Sequence, residues 1–132
     1  MPILNVKVSG PRSDSRARDI ASMLLDLTQR HLGKLPAVTS IAISFVPAED
    51  WYVGGRSLAE QHKSSFYFDI RITDETNTKD EKARYIAAAF EGFARLLPDL
   101  HEESYIHVHD ARAASYGYGG RTQEWRYQRQ QA

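Results

Sequence analysis

Two histidines late in the chain have the spacing of residues that share one face of a strand. His107 and His109 are two residues apart, so both side chains point to the same side of an extended segment, and Asp110 follows them. Two imidazoles can bind zinc or a similar ion, polarise a substrate carbonyl or position a water molecule. Because no third ligand is visible, we favour a polar lining of an active site or subunit interior and predict no metal site.

A second group of candidate residues occurs as a matched pair. Trp51 precedes a Gly-Gly-Arg sequence at 54–56, and Tyr116 precedes another at 119–121, which is an offset of 65 residues. The glycines are most simply turn residues that permit positive φ, and they do not form a phosphate loop. An aromatic residue before the same turn in both places is a candidate pocket wall.

The same offset relates further landmarks. It carries Ser13 onto Thr78, and it carries the apolar positions of 41–43 onto those of 106–108. Three landmarks at one spacing indicate an internal duplication. The sequence therefore predicts a single domain over 1–132, made of two repeats at about 1–62 and 63–126. The polar residues at 121–132 are interpreted as a short hairpin or C-terminal arm.

Each repeat has the pattern of a β-α-β unit. Apolar and polar residues alternate, as is typical of strands, at 4–8, 41–45, 66–72 and 106–108. Apolar residues at helical spacing follow Ser13 and Thr78, and Thr78 forms a capping box with Glu81. Gly33 and Pro98 are expected to end the two helices.

These elements predict an α+β fold, a two-layer sandwich in which tandem β-α-β units form a four-stranded sheet covered by two helices. Each crossover pairs its strands in parallel and is expected to be right-handed. The other face of the sheet carries Ala42, Ser44, Tyr105 and the two histidines, and no helix covers it. A face of such mixed polarity suggests subunit packing around a wet centre.

Composition excludes several classes of function. The 132 residues include no cysteine, which excludes disulfides, thiol nucleophiles and thiolate metal sites. The 17 basic and 17 acidic residues give no basic surplus, so nucleic acid is not an expected partner. No apolar run approaches the roughly 20 residues that span a bilayer, so no membrane association is expected. The N-terminus lacks a signal-peptide pattern, and we expect a cytoplasmic location.

Three motifs carry a family resemblance. The chain begins Met1-Pro2-Ile3, has Gly-Pro-Arg-Ser-Asp at 10–14 before the first helix, and has Trp-Tyr-Val-Gly-Gly at 51–55. In a β-α-β unit of this length they resemble the tautomerase superfamily, in particular 4-oxalocrotonate tautomerase. The resemblance covers nearly the whole chain as two fused copies.

The resemblance implies that Pro2 is a catalytic N-terminal proline, exposed by removal of Met1. It implies that Arg12 binds a substrate carboxylate, that Trp51 is an aromatic wall, and that no metal or other cofactor is needed. Short members of the family form hexamers, so a fused chain is expected to be a homotrimer that buries the helix-free face.

The chemistry of these residues agrees with those roles. A chain-terminal secondary amine is a base whose reference pKa is about 7.7–8.0. Burial under Trp51 and nearby cations are expected to lower that pKa towards neutrality. Arg12, just before a helix start, would hold a carboxylate with its guanidinium and the exposed helix N–H groups. Without such roles, Pro2 is a strand-opening proline and Arg12 is a solvated surface residue.

The second repeat departs from the family pattern. Pro2 maps onto Tyr67 or Phe68, and Arg12 maps onto Asn77. None of these supplies a terminal amine, so we expect one working proline per chain.

The family's second important arginine is also missing, because its position is Ala42 in the first repeat and His107 in the second. This loss weakens the case for a dicarboxylate substrate. The second repeat can still donate residues to the site, and the candidates for substrate binding are Tyr116, Arg71, His107, His109 and Arg112. Arg71 or Arg112 would replace the missing arginine; each is otherwise a surface or interface residue.

The expected activity is that of an isomerase, a keto-enol tautomerase of a small unsaturated 2-oxo or 2-hydroxy carboxylic acid. Pro2 would take a proton from the enol and return it to carbon, while Arg12 holds the carboxylate. One alternative is a superfamily hydratase, dehalogenase or decarboxylase in which the proline is a protonated acid. Another is a catalytically decayed trimeric binding module, which would be favoured if Met1 were retained.

Overall fold

The structure is a computed structural model that describes residues 2–131, with side chains over 2–130. The first repeat contains β1 (Ile3–Ser9), α1 (Asp14–Leu32) and β2 (Ser40–Val46). It continues with the hairpin strands β3 (Tyr52–Val53) and β4 (Arg56–Ser57) and the one-turn helix α2 (Leu58–Gln61). The second repeat contains β5 (Phe66–Thr73), α3 (Lys79–Leu96) and β6 (Tyr105–Ala111). It ends with the hairpin strands β7 (Gly117–Tyr118) and β8 (Arg121–Thr122) and the helix α4 (Gln123–Gln131).

The four long strands form one mixed sheet in the order β2-β1-β5-β6. Each repeat pairs its own two strands in parallel, whereas β1 and β5 meet antiparallel at the centre. The α+β fold predicted from sequence, with tandem β-α-β units and a four-stranded sheet, is confirmed. The antiparallel centre relates the repeats by an approximate two-fold axis, so equivalent residues lie at opposite ends of the sheet.

The two long helices cover one face of the sheet and enclose the core. Alternate residues of the central strands are fully buried beneath them, and Phe66 of β5 stacks on Phe93 of α3 with ring centroids 3.8 Å apart. The helices approach each other closely at Gly92, where a Cβ would lie 2.6 Å from the Met23 sulfur. The other face, predicted to lack a helix, is the exposed one.

The predicted helix ends are present. Ser13 accepts a hydrogen bond from the Arg16 N–H at 3.2 Å, and Gly33 ends α1 in the left-handed conformation with φ of 69°. Thr78 and Glu81 form both bonds of the capping box at the start of α3. Local side-chain chemistry therefore fixes where both long helices begin.

The C-terminal segment differs from the hairpin or arm predicted at 121–132. Its first two residues form a hairpin strand, and the next nine form α4, while residue 132 lies outside the described residues. Thr122 caps the helix by accepting from the Trp125 N–H at 2.9 Å, and the Arg126 guanidinium lies 3.9 Å from the Tyr118 ring centroid. A cap and cation–π contacts thus stabilise a helix that apolar periodicity alone does not indicate.

The strand register corrects the alignment between repeats. Ile3 pairs with Ser40, and Tyr67 pairs with Tyr105. Ser40 and Tyr105 are equivalent at the offset of 65, so Ile3 is equivalent to Tyr67. The offset between the first strands of the two repeats, β1 and β5, is therefore 64 residues.

The residue equivalent to Pro2 is therefore Phe66, and the predicted equivalence with Tyr67 or Phe68 is wrong. Pro2 and Phe66 are both buried at the entry to their strands. Alternation of apolar residues fixes which face a residue takes, but it does not fix the register.

Within residues 2–131, none of the helices is both long enough and apolar enough to cross a membrane.

Candidate functional site

Pro2 lies at the start of β1 beside a pocket of about 510 Å³, called here the proline pocket. Its ring is buried, and its carbonyl accepts a hydrogen bond from the Ser40 N–H at 3.1 Å. The walls are the start of β1, the turn at 37–40 and the segment 116–118. The pocket thus takes walls from both repeats. Met1, which is expected to be removed, lies outside the described residues.

Tyr116 is the half-buried aromatic wall of this pocket. Its hydroxyl donates to the Arg71 carbonyl at 3.0 Å and is also hydrogen-bonded with the Ile3 backbone. Burial raises the pKa of Tyr116, and the Ile3 backbone bond and the Arg71 charge oppose the rise. Tyr116 is therefore a neutral phenol near pH 7, and its two bonds fix it beside the strand that begins with Pro2.

Arg71 lies next to the proline pocket on the helix-free face. It is the cross-strand partner of Ile3 on β1 and of His109 on β6. Neighbouring strands are only about 4.8 Å apart, so the Arg71 backbone lies one strand spacing from Ile3, which lines the pocket. The guanidinium is exposed and has the fork geometry that suits a carboxylate.

His107 and Arg112 lie on either side of His109, the cross-strand partner of Arg71. His107 is one step further from the pocket along β6, paired with Asp69, and its ring is edge-on to His109 at 5.7 Å between centroids. Arg112 is exposed just after β6 at the same end of the sheet as Pro2. No group of three or more histidine, aspartate or glutamate residues that could hold a metal ion is found over the described residues.

Arg12 and Trp51 lie at the opposite end of the sheet. The seven residues of β1, followed by Gly10 and Pro11, separate Pro2 from Arg12, and the strand alone spans about 20 Å at roughly 3.3 Å per residue. The Arg12 side chain is 76% exposed and pairs with Asp14. Trp51 lines a different pocket, with Lys7. Within one chain, Tyr116 and Tyr118, and not Trp51, line the pocket beside Pro2.

Sequence reasoning missed two parts of the pocket. Tyr118 was not singled out, although it follows Tyr116 at the spacing that keeps two side chains on one face of a strand. The turn at 37–40, which follows Pro36, was also missed. Its only local signal is a proline before a strand, and that signal marks a turn rather than a pocket.

Comparison with known proteins identifies relatives for the first repeat and for the whole fold. Residues 2–61 match the sequence model of a family described as "Tautomerase enzyme". No curated protein matches the sequence significantly.

Solved structures with this fold cover almost the whole chain. A fused 4-OT (4-oxalocrotonate tautomerase) described as a symmetric trimer is 17% identical, covers 94% of this chain and 98% of its own, and has a TM-score of 0.80. Native fused 4-OT is 22% identical over 92% and 96%, with a TM-score of 0.76. A malonate semialdehyde decarboxylase inhibited by 3-bromopropiolate is 16% identical over 96% of both chains, with a TM-score of 0.73.

Proposed function

We propose that this chain is a keto-enol tautomerase, because residues 2–61 match the tautomerase family model and the whole chain has the fold of fused 4-OT. The proposed substrate is a small unsaturated 2-oxo acid or its 2-hydroxy enol. Once Met1 has been removed, Pro2 would present a secondary amine to the proline pocket. The observation that carries the proposal is the burial of Pro2 beside a pocket lined by Tyr116, with Arg71 on the neighbouring strand.

The proposed reaction moves one proton. The Pro2 nitrogen takes the proton from the enol hydroxyl, the carbonyl forms, and the same proton is returned to carbon, so the amine ends as it began. A base must be uncharged to start this cycle, and burial disfavours the charged form of an amine. The apolar walls of the pocket support that role for Pro2.

The proposed substrate contacts come from the second repeat. Arg71 binds the carboxylate and takes the place of the family arginine that is Ala42 in the first repeat. Tyr116 forms a wall that excludes water, and because its hydroxyl is already engaged, it does not compete as an acid. His109, one strand beyond Arg71, is proposed to face the polar end of the substrate.

Arg12 and Trp51 join the proposed site only across a subunit interface. We propose a homotrimer, supported by the similarity to fused 4-OT trimers and by the exposed, helix-free sheet face. In such an assembly, the end of the sheet that carries Arg12 and Trp51 in one chain can face the proline pocket of its neighbour.

Decarboxylation of a three-carbon 3-oxo acid is the second candidate. It is favoured by the likeness to a malonate semialdehyde decarboxylase over 96% of both chains and by the missing second arginine. In that reaction Pro2 would be a cation that stabilises the carbanion left by CO₂.

The test combines intact mass with an assay of phenylenolpyruvate ketonisation for wild type, Pro2→Ala and the control Pro47→Ala at an exposed turn. We expect wild-type protein without Met1, and a loss of at least about 100-fold for Pro2→Ala only, because that is the usual contribution of a general base. Full activity in Pro2→Ala, or in protein that retains Met1, would exclude Pro2 as the base. Turnover of malonate semialdehyde without ketonisation would favour the second candidate.

A further inference from the structure

The part of the proline pocket that comes from the second repeat has little support of its own. It is the segment 116–118, called here the wall segment, and it includes strand β7. Strand β7 pairs only with β8, over two residues in each strand, and both lie outside the four-stranded sheet. An isolated two-stranded hairpin is marginally stable in water, so other contacts must hold the wall segment.

The start of α4 is bonded to the first residue of the wall segment. The Gln123 N–H donates to the Tyr116 carbonyl at 2.8 Å, and the Tyr116 hydroxyl donates to the Arg71 carbonyl at 3.0 Å. Tyr116 is therefore attached to α4 through its backbone and to β5 through its side chain. Gln123 itself is buried, so the first turn of α4 packs against the rest of the chain.

Arg126, one turn later on α4, holds the last residue of the wall segment. Its Nη2 donates to the Tyr118 carbonyl at 2.9 Å, and its guanidinium carbon lies 3.9 Å from the centroid of the Tyr118 ring. A Cβ at Gly119 would lie 3.0 Å from the same Nη2, so the guanidinium packs directly on the turn of the hairpin. Arg126 thus fixes both the backbone and the ring of Tyr118.

The burial of Arg126 indicates a positioning role rather than contact with a ligand. Its Nε has almost no accessible surface and no hydrogen-bond partner among the described residues. Because an unpartnered buried donor lowers stability, the arginine is not explained by stability alone. Tyr118 lines the proline pocket and Arg126 does not. Any effect of Arg126 on a substrate in that pocket must therefore act through Tyr118.

The space next to Tyr118 suits an apolar group. Ile3 and Val38 line the pocket together with Tyr116 and Tyr118, and none of its described lining residues has a side chain that is charged at neutral pH. An aromatic ring in this space would gain contact with Tyr118, whereas a charged group would lose water without gaining a partner. With Arg71 as the proposed partner of the carboxylate, the walls favour a 2-oxo acid with a planar apolar body.

We propose that α4 determines the substrate selectivity of the proline pocket. Tyr118 contacts the apolar body of the substrate, and Arg126 positions Tyr118 for that contact. This selectivity rests on the proposed tautomerase activity, and it makes aryl-substituted 2-oxo acids and their enols the preferred substrate class. A substrate without a ring makes no such contact, so its turnover should be insensitive to Arg126.

The test compares Arg126→Met with the control Arg129→Met on phenylenolpyruvate and on 2-hydroxy-2,4-pentadienoate, an enol without a ring. Arg129 is a matched control because it is exposed on the same helix and lies over the Trp125 ring at 4.8 Å, outside the proline pocket lining.

We expect Arg126→Met to lower kcat/KM for phenylenolpyruvate about 3- to 10-fold, the size of effect that one aromatic contact has. The loss should appear in KM with kcat nearly unchanged, because the body of the substrate is bound equally in the ground state and the transition state. For the enol without a ring, and for Arg129→Met with either substrate, kcat/KM should stay within about twofold of wild type.

Two further variants separate positioning from a general structural effect. Tyr118→Leu should lose the same selectivity, and Arg126→Met added to it should change nothing more, because the ring through which the arginine acts is already absent. Arg126→Lys keeps a cation that can lie over the ring, so it should restore most of the selectivity. Melting temperatures near that of wild type show which variants are folded.

Three outcomes would overturn the proposal: an equal loss on both substrates, additive losses in the double variant, or unchanged selectivity in Arg126→Met. If Arg126→Met does not fold, Tyr118→Leu decides, and wild-type selectivity in that variant would overturn the proposal.

Binding without turnover distinguishes this selectivity from the proposed activity. Pro2→Ala should lose ketonisation, yet calorimetric titration should still show that it binds phenylacetate at least about threefold more tightly than propionate. Addition of Arg126→Met should remove that preference or reduce it by a similar factor. If wild type ketonises neither enol, the same titration of wild type and Arg126→Met decides, and an equal preference in both proteins would overturn the proposal.

Discussion

Arg71 is the residue on which the proposed substrate binding depends most within one chain. It is the cross-strand partner of Ile3, the residue after Pro2, and its carbonyl anchors the Tyr116 hydroxyl through the backbone alone. Replacement of its side chain therefore leaves that anchor in place. A substitution of Arg71 therefore tests whether its guanidinium binds substrate, while the hydrogen bond that holds Tyr116 in the pocket wall is kept.

We predict that Arg71→Gln lowers kcat/KM for a 2-oxo acid by about 10- to 100-fold, because a hydrogen bond to a charged group contributes roughly 1.5–3 kcal/mol. The loss should appear in steady-state kinetics with little change in melting temperature, since the side chain is exposed. Arg56→Gln is the control, as Arg56 is also exposed and its guanidinium pairs with Glu60, far from the proline pocket lining. Unchanged kcat/KM in Arg71→Gln would show that another group holds the carboxylate.

A buried polar contact joins the two long helices. The Tyr85 hydroxyl on α3 and the Thr28 hydroxyl on α1 are 2.9 Å apart, and both residues are fully buried. Neither group can reach water, so each depends on the other for a partner. This contact also fixes how the helices lie over the sheet that carries Pro2.

Tyr85→Phe should lower the free energy of unfolding by about 1–3 kcal/mol, because it leaves the buried Thr28 hydroxyl without this partner. Urea denaturation at pH 7 measures the effect. Tyr127→Phe on the exposed side of α4 should be neutral and serves as the control. A neutral Tyr85→Phe would mean that Thr28 finds another acceptor within its own helix.

Tyr85 also makes stability depend on alkaline pH. Burial raises its pKa far above the usual value of 10.0, and the hydrogen bond with Thr28 offsets only part of that rise. Below the unfolded pKa of about 10, both states hold the proton and the stability is complete. At higher pH only the unfolded chain releases the proton, so stability falls. Urea midpoints from pH 9 to 11 should fall more steeply for wild type than for Tyr85→Phe, and equal slopes would contradict this account.

Elements were predictable from the sequence wherever the signal is local. Strand alternation and the caps at Ser13 and Thr78 depend on neighbouring residues, and the structure confirms them. The aromatic residue that lies beside Pro2 was not predictable in this way, because its position depends on the antiparallel pairing of β1 and β5. In this pairing Tyr116 lies beside Pro2, and Trp51 lies at the opposite end of the sheet. Helix α4 was missed for a similar reason, since contacts with Tyr118 rather than apolar periodicity stabilise it.

At the scale of the whole molecule, the helix-free face is the feature that calls for a partner. Tyr105 on this face is 61% exposed, and Ile3 lies on it beside Arg71. A single chain leaves these side chains in water, and it places Pro2 and Arg12 at opposite ends of β1, a strand about 20 Å long. A closed ring of three chains would cover the face and can bring Arg12 of one chain to Pro2 of another.

Subunit mixing tests this arrangement directly. Pro2→Ala and Arg12→Ala should each be nearly inactive. After the two variants are unfolded and refolded together, about one quarter of wild-type activity should return. Each site of a closed ring takes Pro2 from one chain and Arg12 from its neighbour, and each of these residues is intact with a chance of about one half. The matched control mixes Pro2→Ala with Arg71→Gln. Pro2 and Arg71 belong to the same chain's pocket, so no hybrid trimer contains an intact pair and no activity should return. Recovery in both mixtures, or in neither, would contradict a site that takes Arg71 from its own chain and Arg12 from a neighbour.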